Sequence, residues 1–245
     1  MSESTKLSMD SSNIYSDHWY SIFMRPIGIS QTQAEVDFIT RHLPMAEFRS
    51  IIDLCCGTGR HASLLAGRGY QVLGLDSNTK AIAEAQSSAN ERLKFLVHDM
   101  RQIALLPGSY DAVMNLWQSF GYFDEATNRD ILRQIADKLN PGGRLVLDIY
   151  NRDFFQNHEG SRTFEKEGMT VTEEKQMTGP RLQVTLTYNE GESVDRFDWH
   201  LYTVSELSEL LSGFGFREIL ACSDYSENVA PSPLKPRMQL VSRLA

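Results

Sequence analysis

The sequence predicts an α/β protein in which a largely parallel sheet is covered by helices on both faces and interrupted by an antiparallel sheet. Three observations carry the prediction. Between about residues 50 and 150, short and nearly all-apolar runs alternate with amphipathic stretches, as strands covered on both faces require. Beyond Tyr150 the pattern changes to strict alternation of apolar and polar residues, the mark of strands with one solvated face. A chain of 245 residues also suits one α/β domain with an insertion better than two complete domains.

Residues 1–12 are polar and charged and read as a disordered tail, ahead of a single domain, 13–245, that opens with a helical lid over residues 13–43. Within the lid, Ser30 and Gln33 have the spacing of a capping box, and Val36, Phe38, Ile39 and Leu43 supply an apolar face until Pro44 stops the helix. Strands then follow at 50–55, 71–76, 93–99, 110–117 and 143–150, with helices at about 60–66, 79–89 and 124–139 between them. The inserted sheet spans about 151–202. In it, "RLQVTLTY" places Leu182, Val184, Leu186 and Tyr188 on one side, and "RFDWHLY" does the same with Phe197, Trp199 and Leu201. Thr203 and Glu206 form a second capping box, opening a helix that ends at Gly213. Two last strands, 216–225 and 237–245, flank a Pro-rich loop.

Composition narrows the function. A formal charge of -8 and a pI near 5.3, with no basic run to overturn them, argue against a nucleic-acid partner. No apolar run approaches membrane-spanning length, and the polar N-terminus lacks the apolar core of a signal peptide. The three cysteines include the neighbours Cys55 and Cys56, no pair has zinc-ligand spacing, and the usage fits a reducing cytoplasm. No metal is expected. The edge of the inserted sheet is a pairing surface, which leaves a monomer or a homodimer open.

In an open α/β sheet, ligands bind outside the carboxyl ends of the strands, and three acids stand there. Gly57, Gly59 and Ala62 match a dinucleotide-binding spacing, but Asp53, four residues before Gly57, would repel a pyrophosphate and attract an ammonium group. Asp76 ends the second strand, where a carboxylate can accept hydrogen bonds from both ribose hydroxyls. Asp99 closes the third, placed for an exocyclic adenine amine while Met100 packs on the ring. After the fourth strand, Asn115 and Leu116 are placed for an amino-acid portion, and Trp117 and Tyr122 for an acceptor pocket whose ring faces attract a cation. Phe120 and His61 read as local packing. His200 and Arg196 share a face of an inserted strand, with His200 a candidate base.

These motifs resemble the class I S-adenosylmethionine-dependent methyltransferases: "IIDLCCGTGRHA" their first motif, Asp76 their ribose acid, "HDM" their adenine motif and "NPGGRLVLDI" the turn into their fifth strand. "YDAVMNLWQSFGYF" and "LYTVSELSELLSGFGF" are similar to a small-molecule subgroup that includes the amino-sugar N-methyltransferases. The resemblance implies a Rossmann-like, doubly wound seven-stranded sheet with an antiparallel last strand. It also implies S-adenosyl-L-methionine as cofactor and methyl transfer to nitrogen or oxygen of a small molecule. Carried over by position, Asp53, Cys55, Gly57, Thr58 and Gly59 hold the methionine end, Asp76 and Ser77 the ribose, and Asp99 and Met100 the adenine. A lid tyrosine, Tyr20, is placed for the cofactor carboxylate. Where the amino-sugar enzymes carry a histidine at the acceptor this chain has Tyr122, which leaves the base and the acceptor open. A protein-directed methyltransferase and a non-catalytic cofactor-binding module are the alternatives, and Asp53 disfavours a nicotinamide oxidoreductase.

Overall fold

The computed structural model describes residues 13–245, so the expected tail at 1–12 lies outside the described residues. Two compact units divide the chain, a smaller one of 13–27 with 158–199 and a larger one of 28–157 with 200–245. The smaller unit begins with α1 (Asp17–Trp19), which runs into a π-helical turn. In the larger unit follow α2 (Ile29–His42), β1 (Ser50–Leu54), α3 (Arg60–Gly67), β2 (Gln71–Asp76), α4 (Thr79–Ala85), β3 (Leu93–Val97), β4 (Tyr110–Asn115), α5 (Glu125–Lys138), β5 (Leu139–Tyr150) and α6 (Arg152–Phe155). The chain returns to the smaller unit for β6 (Gly160–Lys166), β7 (Met169–Thr178), β8 (Arg181–Tyr188) and β9 (Ser193–His200), then ends with α7 (Val204–Ser212), β10 (Phe216–Cys222) and β11 (Arg237–Leu244).

The larger unit is a seven-stranded sheet in the order β10-β11-β5-β4-β1-β2-β3. Its strands β1 to β5 pair in parallel, and the last, β11, runs antiparallel to both β5 and β10. The two-residue period sorts each strand between two apolar layers. Ile51, Met114, Val146 and Val241 pack with Val36 and Ile39 of α2 and Leu65 of α3 on one face. Ile52, Val113, Leu147 and Leu240 pack with Ile131 of α5 and Leu207 and Leu211 of α7 on the other. Thr203 caps α7 in a complete box with Glu206, and Asp124 caps α5 by accepting from the Thr127 amide. No helix among the described residues is long and apolar enough to cross a membrane.

In the smaller unit the four strands form a sheet in the order β6-β7-β8-β9. Its apolar side, with Tyr188, Phe197 and Trp199 buried, receives the N-terminal segment. Tyr15 lies 5.0 Å from Phe197, ring to ring, and Asn13 bonds the β9 backbone through its own amide and side chain. Buried Asp195 accepts from the Ser16 and Tyr188 hydroxyls at 2.6 and 2.8 Å.

Several boundaries differ from expectation for physical reasons. The Ser30–Gln33 capping box does not form: α2 starts two residues earlier than that box would place it, with the extended backbone of Gly28 at its N-cap and no side-chain cap. The expected lid divides, 13–27 joining the four-stranded sheet while α2 packs into the larger unit. The insertion is narrower than 151–202, since 151–157 and 200–202 belong to the larger unit. It also holds two strands, β6 and β7, that patterning missed. Val171 is their only buried apolar residue, so they carry no alternating signal. A usable signal existed in Glu167–Gly168, a two-residue turn with both φ positive, as a tight hairpin demands. Finally, β4 stops at Asn115 rather than Trp117. Trp117 and Gln118 both take φ near +60°, turning the chain toward β5, where Asp148 accepts the Trp117 amide at its carboxylate and the Gln118 amide at its carbonyl.

Candidate active site

The carboxyl ends of β1, β2 and β4 meet at one edge of the larger unit, because Asp53 pairs in register with Gly74 and Met114, and Leu54 with Leu75 and Asn115. The glycine turn after β1 is tied to β2 twice. The Cys56 amide donates to the Leu75 carbonyl at 2.9 Å, and the Gly57 amide to Asp76 at 2.8 Å. Asp76 accepts from the Asn78 amide through its other oxygen, also at 2.8 Å, and burial raises its pKa. Thr58 is half-buried and Ser77 exposed beside it.

The two glycines have different reasons to be glycine. At Gly57 a Cβ would project into open space, leaving the backbone approachable. At Gly59 a Cβ would lie 2.5 Å from the Phe95 ring, at φ +79°. Close packing by Phe95, rather than a ligand, occupies that side of Gly59. Cys55 stands at φ +63° with its Sγ 3.6 Å from Met100 Sδ, and burial pushes its thiol up, so it is a neutral packing group.

Asp53 is 2% exposed, its Oδ2 has no hydrogen-bond partner, and burial reinforced by the charge of Asp76 lifts its pKa to about 7 against the opposing pull of Arg60. Fully buried Asn115 donates to the Leu54 carbonyl at 3.0 Å, while its Oδ1 is buried without a partner. Leu116 is buried beside it. Asp99, by contrast, is engaged: it caps the turn that starts at Met100 and is held by the Arg101 side chain at 2.5 to 3.0 Å, which outweighs burial and lowers its pKa.

Beside the glycine loop lies a buried charge network that sequence reasoning did not find. Glu35 of α2 receives Arg60 and His61 of α3 at 2.7 Å each, and Gln31 and the Trp117 indole at 3.1 and 3.2 Å. Burial would raise its pKa, but His61 and Arg60 outweigh this and hold it at about 2. His61 is thus buried packing, as expected. The Trp117 ring carries the Arg60 and Arg237 guanidinium groups, 4.6 and 4.9 Å from the ring. Its faces are therefore already taken by protein cations, which corrects the expectation that they attract a cationic acceptor. Nothing in the sequence pairs Glu35 with residues 60, 61 and 117; only helix packing does.

His200 is tied to the backbone beside Tyr122 through Gly121, whose carbonyl accepts the His200 amide at 2.7 Å. A Cβ on Gly121, at φ +100°, would fall 2.3 Å from the His200 carbonyl oxygen, so glycine is required for this approach. The His200 ring stacks on Tyr202 at 4.5 Å, and Tyr202 on the core residue Phe120 at 5.8 Å. Arg196 belongs to the smaller unit. Its side chain is exposed in the smaller unit, on a recess with Ile14, Ser16 and Val194, because alternation along β9 gives the buried positions to Asp195, Phe197 and Trp199. Tyr20 also lies in the smaller unit, its ring 5.5 Å from Trp19.

Comparison with known proteins places this arrangement. A family model described as a methyltransferase domain matches residues 51–143, from the first strand to the turn inside β5. A glycine/sarcosine N-methyltransferase of Parasynechococcus marenigrum (strain WH8102) is 26% identical over 210 residues, covering 81% of this chain and 74% of that one. Among solved structures, the CcbJ methyltransferase from Streptomyces caelestis superimposes with a TM-score of 0.79 at 18% identity, covering 96% of this chain and 99% of the other. The sugar N-methyltransferase KedS8 from Streptoalloteichus sp ATCC 53650 gives 0.66 at 22% identity, with 98% of each chain covered. The two structural likenesses share the fold, and the methyltransferase-domain match over residues 51–143 takes in the glycine loop with Asp53 and Asp76.

Proposed function

We propose that this protein transfers a methyl group from S-adenosylmethionine to a nitrogen or oxygen of a small molecule. The observation that carries the reading is the pair of buried oxygens without partners, Asp53 Oδ2 and Asn115 Oδ1, at the paired ends of β1 and β4, where β1 leads into the turn that carries the open backbone of Gly57. Buried polar atoms are ordinarily satisfied, and an ammonium group supplies the donors these two lack. That chemistry fits the methionine end of the cofactor and not a pyrophosphate.

In this reading Asp53, Asn115 and the loop Cys55–Gly59 hold the amino-acid portion, with Leu116 against its chain. Asp76 and Ser77 bind the ribose. Met100 packs on the adenine, and Asp99 offers an acceptor to its amine while Arg101 keeps that carboxylate ionised. When bound, the cofactor supplies an electrophilic methyl on a sulfonium centre, which reacts by in-line displacement. The protein's task is then alignment and exclusion of water. Trp117 walls the acceptor side. Tyr122 and His200, whose backbone is tied to Gly121, are the groups assigned to the acceptor's proton: a hydroxyl acceptor would give its proton to the His200 imidazole, whereas an amine need only arrive neutral. Small-molecule acceptors of the relatives, glycine and sugar amines by their names, support the substrate class.

Calorimetric titration with S-adenosylhomocysteine and, separately, NAD tests the reading. Binding of the first and not the second is expected; NAD binding without S-adenosylhomocysteine binding would overturn it. Methyl incorporation from labelled cofactor into a panel of small amines and hydroxy compounds then tests the acceptor class.

A further inference from the structure

A cavity of about 310 Å³ opens in the larger unit between α2 and the start of β11, lined by Gln31, Ala34, Glu35, Trp117, Tyr225 and Arg237 among others. Its size is at the lower end for a small-molecule site. Its chemistry is one-sided. Glu35 already accepts four hydrogen bonds, from Gln31, Arg60, His61 and Trp117. Asp148, fully buried behind the wall, also accepts four: from Arg237 Nε and Nη2, the Gln239 amide and the Trp117 backbone. A carboxylate has about four lone-pair positions, so both acids are saturated. Exposed Asp224 is bonded by Lys235. The Trp117 faces carry two guanidinium groups. Among the described lining residues, Asp224, at the exposed rim, and the buried Tyr225 hydroxyl, which has no partner, keep accepting capacity.

The uncommitted charged group deeper in the cavity is a donor. Arg237 uses Nε and Nη2 on Asp148, and its Nη1 makes no hydrogen bond to any described residue. The guanidinium is held against Trp117 at 4.9 Å and Tyr150 at 5.4 Å, so its position is set before a ligand arrives. We propose that this cavity is a subsite for the carboxylate of the methyl acceptor, bound by Arg237 Nη1, so that the acceptor is a small carboxylic acid. This rests on the methyltransferase reading above. A monoanion matches the one uncommitted Nη1 group, whereas a phosphate dianion would need a second cation, and Arg237 is the one cationic side chain among the described lining residues.

The test uses the full chain saturated with S-adenosylhomocysteine. Acetate, methylammonium and inorganic phosphate are titrated separately at constant ionic strength while the Trp117 indole N–H resonance is followed by NMR. Acetate should shift it saturably and the other two should not. Arg237→Gln should weaken acetate at least tenfold and leave S-adenosylhomocysteine affinity within twofold. Because that change strips Asp148 of its partner and can unfold the protein, Ala34→Phe provides a second variant that narrows the cavity without touching the ion pair; it too should abolish the acetate response. Saturation by methylammonium or phosphate, or an acetate response that survives both variants, would overturn the proposal. So would an Arg237→Gln protein that loses affinity for S-adenosylhomocysteine but not for 5′-methylthioadenosine, since the carboxylate held would then be the cofactor's own. Failure of the wild type to bind S-adenosylhomocysteine at all is a separate outcome and counts against the methyltransferase reading itself.

Discussion

Lowering the pH from 8 to 6 should weaken S-adenosylhomocysteine binding, and Asp53 is the reason. In the free protein burial, with Asp76 nearby, lifts this carboxyl to about 7, so at pH 6 it is mostly protonated. An ammonium group against its unpartnered oxygen requires the ionised form, so binding must first expel a proton. With a free-state pKa of about 7 and an ionised complex, the expected loss of affinity between pH 8 and pH 6 is about tenfold, or roughly 1.4 kcal/mol. Calorimetry at pH 6, 7 and 8 in buffers of different ionisation enthalpy measures both the slope and the proton, close to one released per binding event at pH 6. The same shift acts on stability with a definite sign. A carboxyl raised from 3.8 to about 7 on folding contributes stability that is fully present below pH 3.8 and is lost as the pH rises through 7, a change of about 4 kcal/mol for about three pH units. Asp53→Asn should therefore raise the melting temperature of the cofactor-free protein at pH 8, leave it nearly unchanged at pH 4, and flatten the pH dependence of binding. An affinity that is level from pH 6 to 8 in the wild type, or a slope that persists in Asp53→Asn, would refute the reasoning.

Four further outcomes follow from the geometry. Gly59→Ala places a methyl group 2.5 Å from the Phe95 ring in a left-handed backbone, and should cost about 2–4 kcal/mol, read as a fall of several degrees in thermal unfolding. Thr203→Ala removes a working cap and should cost about 1 kcal/mol by chemical denaturation, whereas Ser30→Ala, where no cap bond forms, should change nothing measurable. Asp76→Ala deletes the acceptor for the Gly57 and Asn78 amides as well as for a ribose, and should weaken S-adenosylhomocysteine by about 1–3 kcal/mol in the same titration. Gly121→Ala, by forcing the backbone at His200 away, should lower kcat for methyl transfer more than it changes cofactor affinity, a split that steady-state kinetics resolves.

The sequence by itself determined the alternation of strands and helices, the change to an antiparallel insertion and the acids at successive strand ends, because each is a local pattern. A two-residue period, a capping pair and a carboxylate beside a glycine turn are all set within a few residues. Signals carried by one or two residues were easier to misread. Ser30 and Gln33 have the right spacing, yet the helix starts at Ile29, since Gly28 already adopts the extended N-cap backbone. Gly59 looked like a glycine required by a ligand, and the group that a Cβ there would meet is a phenylalanine ring 36 residues later. Strands β6 and β7 escaped notice because both of their faces are mostly solvated. Only tertiary structure could decide the chemistry between distant residues. The packing of α2 on α3 encloses Glu35 with Arg60 and His61, and the antiparallel return of β11 beside β5 sets Arg237 on Asp148. Those contacts join positions 25 to 89 residues apart, and the lone pairs they fill decide which side chains are left to meet a ligand.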